Sequence, residues 1–338
     1  MPVPILICDD SGFARKQLAR SLPQNWDVEV NFAANGVEAI TAIKDDKADI
    51  LFLDLNMPVM DGYQVLEAIR SQDLPTLVIV VSGDVQPEAR ERVIGLGALD
   101  FIKKPIDSDK LLEILEQYGI LQELDGSSSS APHIIDAPEL ELELDINEGY
   151  QEVANVAMGQ AADLLARLLH VFIELPIPQV HKIACDQLPG RVQEAITAEK
   201  VSVVGQGFVG SGVAGEALLF IEEGDLTGLA QLIDHQSEHD AALELDLLME
   251  VANILIGACM AGFAEQLDLK FSMGHPAILG RDIAAMDMPF KACESGERLL
   301  TIEIRYGIKD KRINCTLLLV FTGDSIDTLD DLINLLME

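Results

Sequence analysis

The first third of the chain alternates between short apolar runs and longer amphipathic stretches. Ser11–Leu22 repeats its apolar residues at helical spacing, whereas four other segments are mostly apolar and of strand length: Val3–Cys8, Ile50–Leu53, Thr76–Val81 and Leu99–Ile102. Strands that alternate with helices along a chain form a parallel sheet with helices on both faces. The pattern therefore predicts an α/β fold with a doubly wound parallel sheet, which is five-stranded when Ile50–Leu53 is counted as the third strand and Leu99–Ile102 as the fifth.

Polar side chains follow the predicted strands at their C-terminal ends. Asp9 and Asp10 follow the first strand, Asp54 the third, Ser82 the fourth and Lys104 the fifth. Ligands bind at this edge of an open α/β sheet, so these side chains are expected to share one site. Three carboxylates there repel one another unless a divalent cation lies among them, and Mg²⁺ suits hard oxygen ligands. The residues alone leave a simpler interpretation open, in which the acids are solvated strand ends.

Taken in order, and closed by a Lys-Pro pair, this set closely resembles the phosphoacceptor site of a two-component receiver domain of the CheY-like kind. The resemblance implies that Asp54 carries an aspartyl phosphate. It also implies that Asp10 and Asp54 are ligands of Mg²⁺, and that Asn56 adds its backbone carbonyl. Asp9 would act on the ion through water.

The same resemblance gives roles to three further residues. Ser82 would hydrogen-bond the phosphoryl group, Lys104 would neutralise its charge, and Phe101 stands at the position of the switch aromatic. Ser82 replaces the commoner Thr and is followed by Gly83, but neither departure removes a group that phosphorylation needs. A receiver is phosphorylated by a histidine kinase, which is therefore an implied partner.

The composition narrows the classes of function. At 338 residues the chain is long enough for two domains, and its formal net charge of -34 argues against binding to nucleic acid or to an anionic membrane. The sequence suggests no apolar run of membrane-spanning length and no charged leader, and its five cysteines show no paired C-x-x-C spacing. We therefore expect a cytoplasmic protein with reduced, mostly buried thiols.

A change of composition after Gly119 predicts a boundary between two domains. Asp125–Pro132 is rich in Ser and predicts a flexible joint, whereas Glu139–Asp145 alternates acids with leucine and predicts an edge strand or an extended lead-in. A plain tether is an equally good interpretation of the whole segment. The expected organisation is a receiver at 1–120, a flexible linker at 121–143 and a second domain at 144–338.

The second domain contains an internal repeat. Glu152-Val-Ala-Asn155 recurs as Glu250-Val-Ala-Asn253, at an offset of 250 − 152 = 98 residues, and each copy has a glycine four residues after its Asn. Residues three apart share one face of a helix, so each Glu projects together with its Asn. The glycines favour a close approach of each helix to another helix or to a partner. A period of this size predicts two halves of one pseudo-symmetric α+β domain.

This duplicated frame resembles the helices of the CheC/CheX/FliM family, and those of CheC most closely, over most of residues 145–338. In CheC phosphatases the Glu pairs with the active-site Lys of a receiver, and the Asn orients the water that attacks its aspartyl phosphate. Catalytic roles are therefore implied for Glu152, Asn155, Glu250 and Asn253.

Two departures from the family pattern, Ala154 for a glycine and Gln160 for an asparagine, alter helix packing but remove no catalytic group. The implied function is hydrolysis of the aspartyl phosphate of a response regulator, either a separate protein or the chain's own receiver, gated by phosphorylation of Asp54. The alternative is a non-enzymatic, phosphorylation-gated adaptor with a FliM-like interaction domain. A CheD-type deamidase and a homodimer are partners that the sequence leaves open.

Two weaker motifs point to simpler structures. Gly205–Gly210 matches the dinucleotide pattern G-x-G-x-x-G, but a strand-like segment, Gly215–Ile221, follows where a helix is needed, so a β-hairpin is expected. His235 and His239 have a spacing found in metal sites, but no third ligand cluster accompanies them. They are expected to lie on a solvated helix end or loop.

Overall fold

The computed structural model describes residues 2–23, 26–120, 133–134, 145–196, 198–222, 225–226, 228–229, 232, 241–284, 297–308 and 313–337. The chain forms two compact units, which are divided in the sequence between Glu148 and Gly149. The joint predicted at Asp125–Pro132, most of the predicted lead-in and both histidines of the weak metal motif lie outside the described residues.

The first unit is a parallel sheet whose strands alternate with helices. Its sheet order is β5-β4-β3-β1-β2-β6, and every pairing is parallel. The elements are β1 Val3–Cys8, α1 Gly12–Ser21, β2 Val28–Ala33, α2 Gly36–Lys44, β3 Ile50–Leu53, α3 Gly62–Gln72, β4 Leu77–Ser82, α4 Pro87–Leu96, β5 Asp100–Lys103, α5 Ser108–Gln117 and β6 His133–Ile134.

The prediction of a doubly wound five-stranded sheet is confirmed by β1 to β5. Neighbouring residues of β1 face opposite layers of core: Ile5 and Ile7 pack with apolar residues of α1 and α5, whereas Leu6 and Cys8 pack with those of α2, α3 and α4. A strand that is buried on both faces reads as a continuous apolar run. The strand order reverses between β1 and β3, so the crevice at this switch point lies beside Asp9 and Asp54.

A sixth strand departs from the prediction of a plain tether. His133 and Ile134 pair in parallel with Glu29 and Val30 of β2, inside the segment predicted as a linker. The outer edge of β2 offers unpaired backbone N–H and C=O groups, and an extended segment can satisfy them whatever its side chains are. The sequence pattern therefore gave no indication of this pairing.

The second unit is built on an antiparallel sheet with two long helices. Its strand order is β10-β8-β9-β13-β12-β7, and β11 also pairs with β8. The elements are α6 Ile146–Leu169, β7 Gln179–Ala184, α7 Leu188–Ala195, β8 Val201–Gly210, β9 Val213–Glu222, α8 Ala241–Gln266, β10 Ser272–Met273, β11 Ala277–Ile283, β12 Arg298–Ile308, β13 Ile313–Phe321 and α9 Gly323–Met337. Both copies of the repeat lie on helices, α6 and α8, as the sequence predicts.

The glycine-rich motif at residues 205–210 is part of a β-hairpin. Strands β8 and β9 pair antiparallel from Val201 to Gly210, and the turn residues Ser211 and Gly212 have φ values of 54° and 81°. Positive φ at both turn positions matches the twist of the flanking strands. The hairpin prediction is confirmed, and no helix follows that could bind a dinucleotide at this point.

Two expectations from composition are corrected by the structure. Helix α8 is long and apolar enough over Glu244–Gln266 to cross a membrane by length and composition alone, although 56% of its most apolar window is buried inside the protein. Core helices share that composition with membrane spans. Among the cysteines, Cys8, Cys259 and Cys315 are buried free thiols, but Cys185 is disulfide-bonded, so the prediction of reduced thiols is wrong at Cys185.

Candidate phosphoacceptor site and paired Glu–Asn helices

The ends of β1, β3 and β5 bring three charged side chains into contact. Lys104 Nζ lies 2.7 Å from Asp9 Oδ2 and 3.1 Å from Asp54 Oδ1. All three residues are buried, with exposed fractions of 5% for Asp9, 2% for Asp54 and 3% for Lys104. Two carboxylates facing one ammonium leave an excess negative charge in a place that water barely reaches.

The pKa of Asp54 is raised to about 6, because burial and the nearby Asp9 raise it by more than the ammonium of Lys104 lowers it. Asp54 Oδ2 accepts a hydrogen bond of 2.7 Å from the backbone N–H of Asn56. Asp54 Oδ1 is buried, and its nearest polar contact among the described residues is the ion pair with Lys104 Nζ at 3.1 Å. This carboxyl group therefore has one oxygen held by the backbone and one poorly satisfied oxygen.

The turn after Asp54 fixes the acceptor against the start of α3. A Cβ atom on Gly62 would lie 2.3 Å from the carbonyl oxygen of Asp54, so any larger residue would push the helix away from the acceptor strand. Asp61 caps α3 through the backbone N–H of Gln64, and the Gln64 side chain bonds back to the Asp61 backbone. This capping box satisfies helix N–H groups that would otherwise lack partners.

The remaining receiver residues lie around this contact. Asp10 is half-buried, and Ser82 is fully buried, with its Oγ accepting a hydrogen bond of 3.2 Å from the backbone N–H of Asp84. Phe101 is half-buried and packs against the core layer beneath α2, α3 and α4. The side-chain nitrogen of Asn56 is buried and has no hydrogen-bond partner in the described part of the chain.

The predicted Mg²⁺ ligands fit the ion by their chemistry. Asp10 and Asp54 offer carboxylate oxygens, and the poorly satisfied Oδ1 of Asp54 is the kind of donor that a divalent cation stabilises. Within the described ranges, no group of three or more His, Cys, Asp or Glu side chains is arranged to hold a metal ion. The predicted set needs only two carboxylates and a backbone carbonyl, so it stays a prediction.

One residue of this site, Arg15, was missed by sequence reasoning. Its Nη1 donates hydrogen bonds of 2.7 Å to the backbone carbonyl of Asp9 and 3.4 Å to that of Asp10, and the side chain is buried. Arg15 lies in α1, four residues after the N-cap Ser11. A basic residue near a helix start is common, so only the fold shows that this guanidinium supports the acidic pair.

The raised pKa of Asp54 predicts how the receiver unit responds to pH in metal-free buffer. Between the ordinary pKa of 3.8 and about 6, the folded carboxyl keeps a proton that the unfolded chain has released. The free energy of unfolding should therefore fall as pH rises through this window, by on the order of 3 kcal/mol. Asp54→Asn should remove most of that slope in urea titrations with EDTA from pH 4 to 8. An identical slope in the variant would assign the effect to other groups.

The two Glu–Asn pairs of the second unit differ in exposure. On α6, Glu152 and Asn155 are buried, with exposed fractions of 6% and 8%, and Asn155 Oδ1 has no hydrogen-bond partner among the described residues. On α8, Glu250 and Asn253 are both exposed. The same four-residue frame is therefore accessible in one copy and closed in the other.

The glycine of the second copy, Gly257, does not mark a close contact between helices. Gly257 is exposed, and a Cβ atom added to it would meet nothing within 4 Å, so none of the described helices approaches α8 there. The two long helices approach at Gly262 instead, where an added Cβ would lie 3.0 Å from Ala157 Cα. Gln266 Nε2 also donates a hydrogen bond of 2.9 Å to the carbonyl of Val153. Of the two approaches predicted at the glycines, by a helix or by a partner, the approach by a partner is the one that stays a prediction at Gly257.

Comparisons with known proteins identify the first unit. Residues 5–116 match the family model of the response regulator receiver domain. The chain is 38% identical over 117 residues to protein-glutamate methylesterase/protein-glutamine glutaminase 3 of Geobacter sulfurreducens, covering 34% of this chain and 31% of that protein. It is 42% identical over 116 residues to the response regulator MprA of Mycobacterium bovis, covering 33% of this chain and 48% of MprA. The chain thus spans about a third to a half of the length of these curated relatives.

Solved structures with similar folds include FliY of Thermotoga maritima, at 17% identity and a TM-score of 0.45, covering 57% of this chain and 98% of FliY. Another is a chain from the FliM-SpeE complex of H. pylori, at 9% identity and a TM-score of 0.42, covering 57% of this chain and 97% of that chain. The match of the family model and the contact of Asp9, Asp54 and Lys104 together show that residues 5–116 belong to the response regulator receiver family.

Proposed function

We propose that the chain is a two-component response regulator whose second unit hydrolyses the aspartyl phosphate of a phosphorylated receiver. The observation that carries the proposal is the exposed pair of Glu250 and Asn253 on α8, one helical turn apart, with open space over Gly257. A carboxylate and a carboxamide that project together can hold a cation and a water molecule at the same time. The receiver unit links this activity to two-component signalling.

In the receiver, Asp54 is the proposed nucleophile toward a histidine kinase or a small phosphodonor. One oxygen of Asp54 attacks phosphorus, the bond from phosphorus to the donor breaks, and the donor leaves with its electron pair. Lys104 lies where it can offset the charge of the phosphoryl oxygens, and Ser82 is proposed to hydrogen-bond them. Mg²⁺, held by Asp10, Asp54 and the carbonyl of Asn56, would further neutralise that charge.

On α8, the two side chains of the pair have separate proposed roles. Glu250 forms an ion pair with the active-site lysine of the target receiver, which sets the register of docking. Asn253 orients a water molecule in line with the phosphorus atom. Water attacks phosphorus, the bond to the aspartyl oxygen breaks, and inorganic phosphate and the free carboxylate result. Positioning and charge stabilisation suffice for this reaction, because phosphoryl transfer needs little covalent help. Glu152 and Asn155 are the corresponding candidates on α6.

The test is the lifetime of a separate phosphorylated receiver with and without the chain. A phosphatase shortens the lifetime, and Glu250→Gln should restore most of it. Glu265→Gln is a matched control, because Glu265 is also an exposed acid of α8 but lies about 22 Å further along the helix axis. A lifetime unaffected by the chain would make the second unit a phosphorylation-gated adaptor.

The effect of Asp54 phosphorylation is measured in the same assay. We propose that beryllofluoride on Asp54 increases the rate on the separate receiver, because a receiver that only cancelled its own signal would transmit nothing. The contrary result has two parts: the rate on the separate receiver is unchanged, and phospho-Asp54 decays quickly at any dilution unless Glu152 and Glu250 are removed. Together they would show that the chain acts on its own phosphate. A cytoplasmic location, a CheD-type deamidase partner and a homodimer are further elements of this proposal.

A further inference from the structure

We infer that the two copies of the repeat have unequal tasks: Glu250 and Asn253 act on a separate phosphorylated receiver, whereas Glu152 and Asn155 are a closed copy that such a receiver cannot reach. This inference rests on the proposed function and adds which pair meets the substrate. It is carried by differences between α6 and α8 that the shared motif does not reveal.

The first difference is the burial of whole helix segments. From Tyr150 to Gly159, every residue of α6 except Gln151 is buried, so the helix presents no open face at its Glu–Asn pair. On α8 the exposed residues Glu250, Asn253 and Gly257 form a continuous stripe at intervals of three and four. A receiver can place its lysine and phosphoryl group against the stripe on α8, but not against a face that is already covered.

The second difference is a clamp that holds only α6. The hydroxyl of the fully buried Tyr150 donates a hydrogen bond of 2.7 Å to Asp330 Oδ1 on α9. Lys182 Nζ on β7 donates hydrogen bonds of 2.7 Å to both carboxylate oxygens of Asp330. Burial and this hydrogen bond raise the pKa of Tyr150, so its hydroxyl stays a donor. Three elements are thereby tied together two residues before Glu152.

The second copy lacks the clamp because its sequence differs at the matching position. Shifting Tyr150 by the repeat offset of 98 residues gives Leu248, which is fully buried and has no polar group. At this point α8 therefore has apolar packing in place of the hydroxyl contact, and its polar contact to β11, between Glu244 and Arg281 at 3.1 Å, lies six residues before Glu250. The clamp holds α6 next to its buried pair, whereas Asn253 on α8 is exposed.

The third observation concerns Asn155 itself. Its Oδ1 is buried without a hydrogen-bond partner among the described residues, so this acceptor neither contacts solvent nor is satisfied. A catalytic carboxamide has to hold water, and this oxygen is out of reach of bulk water. In this state the first pair cannot supply an attacking water from solvent.

Accessibility is tested by cysteine substitution in the full-length chain, independently of any activity. Asn253→Cys should react with a maleimide at the rate of an exposed thiol. Asn155→Cys should react at least about tenfold more slowly. The reaction of the unsubstituted protein is subtracted as background. Glu250→Cys and Glu152→Cys form a second pair, in case one variant fails to fold. Equal rates for the two copies, in protein with an unchanged urea midpoint, would overturn the inference.

Activity on a separate phosphorylated receiver provides the second measurement. The rate of the Asn253→Ala variant should be at least about tenfold below that of the Asn155→Ala variant. Equal losses would overturn the division of tasks even if the labelling rates differ. A chain without activity in any form would instead refute the proposed function, and the labelling rates would still decide whether the first copy is closed.

Discussion

Asp54→Asn is expected to abolish phosphorylation of the chain by acetyl phosphate in the presence of Mg²⁺. Asparagine has nearly the shape of aspartate, but its amide has neither the charge nor the nucleophilic oxygen that attacks phosphorus. Asp9 cannot take over, because its Oδ2 is paired with Lys104 at 2.7 Å and its Oδ1 accepts a hydrogen bond of 2.9 Å from Ser11 N–H. Incorporation of label should fall to the level seen in EDTA.

The control for this prediction lies at the other end of β3. Asp49 precedes β3 and is exposed, so Asp49→Asn removes an acid at the opposite end of the strand and should leave labelling unchanged. Mass spectrometry of the intact protein with phosphate trapping measures both variants. Label that persists on Asp54→Asn would mean that another residue is the acceptor.

The second large effect is expected at Asn253. Asn253→Ala removes the carboxamide that orients the attacking water, and misplacing a reacting group costs about 100-fold in rate. The residue is exposed, so its loss should leave folding intact, and circular dichroism provides the check. Glu265→Gln should keep its rate within about twofold, because this side chain is far from the pair.

The double variant Asn155→Ala with Asn253→Ala tests whether the repeated carboxamides position water or only support the fold. The duplicated motif alone predicts partial activity in each single variant and almost none in the double variant. The burial of Asn155 instead assigns most of the loss to Asn253. A double variant with the wild-type rate would mean that neither carboxamide positions water and that the repeat is purely structural.

The receiver could be predicted from the sequence because its strands and site residues are marked by short patterns of neighbouring residues. Most strands are apolar runs, Asp9, Asp54 and Lys104 follow their strands directly, and Asp54 therefore lies at the predicted edge. The shifts were small: β4 is Leu77–Ser82 rather than Thr76–Val81, so Ser82 ends the strand instead of following it. Arg15 could not be predicted, because its role depends on backbone carbonyls that only the folded crevice brings near.

In the second unit, short sequence patterns do not predict which Glu–Asn pair is buried. The frame of Glu152 and Asn155 is identical to that of Glu250 and Asn253, yet one pair is buried and the other exposed. Burial depends on what packs over a helix, and no residue within the motif encodes it. The helix contact likewise occurs at Gly262, outside the repeated frame, because small residues permit an approach wherever the geometry of the fold places it.

Multiple turnover tests whether the second unit is a phosphatase. The release of inorganic phosphate is measured from a separate phosphorylated receiver that is present in large excess over the chain. Each chain should release many phosphates, and Asn253→Ala should lower this rate about 100-fold. Release that stops at one phosphate per chain or fewer would contradict a phosphatase function. The chain would then only bind the receiver or accept its phosphate once.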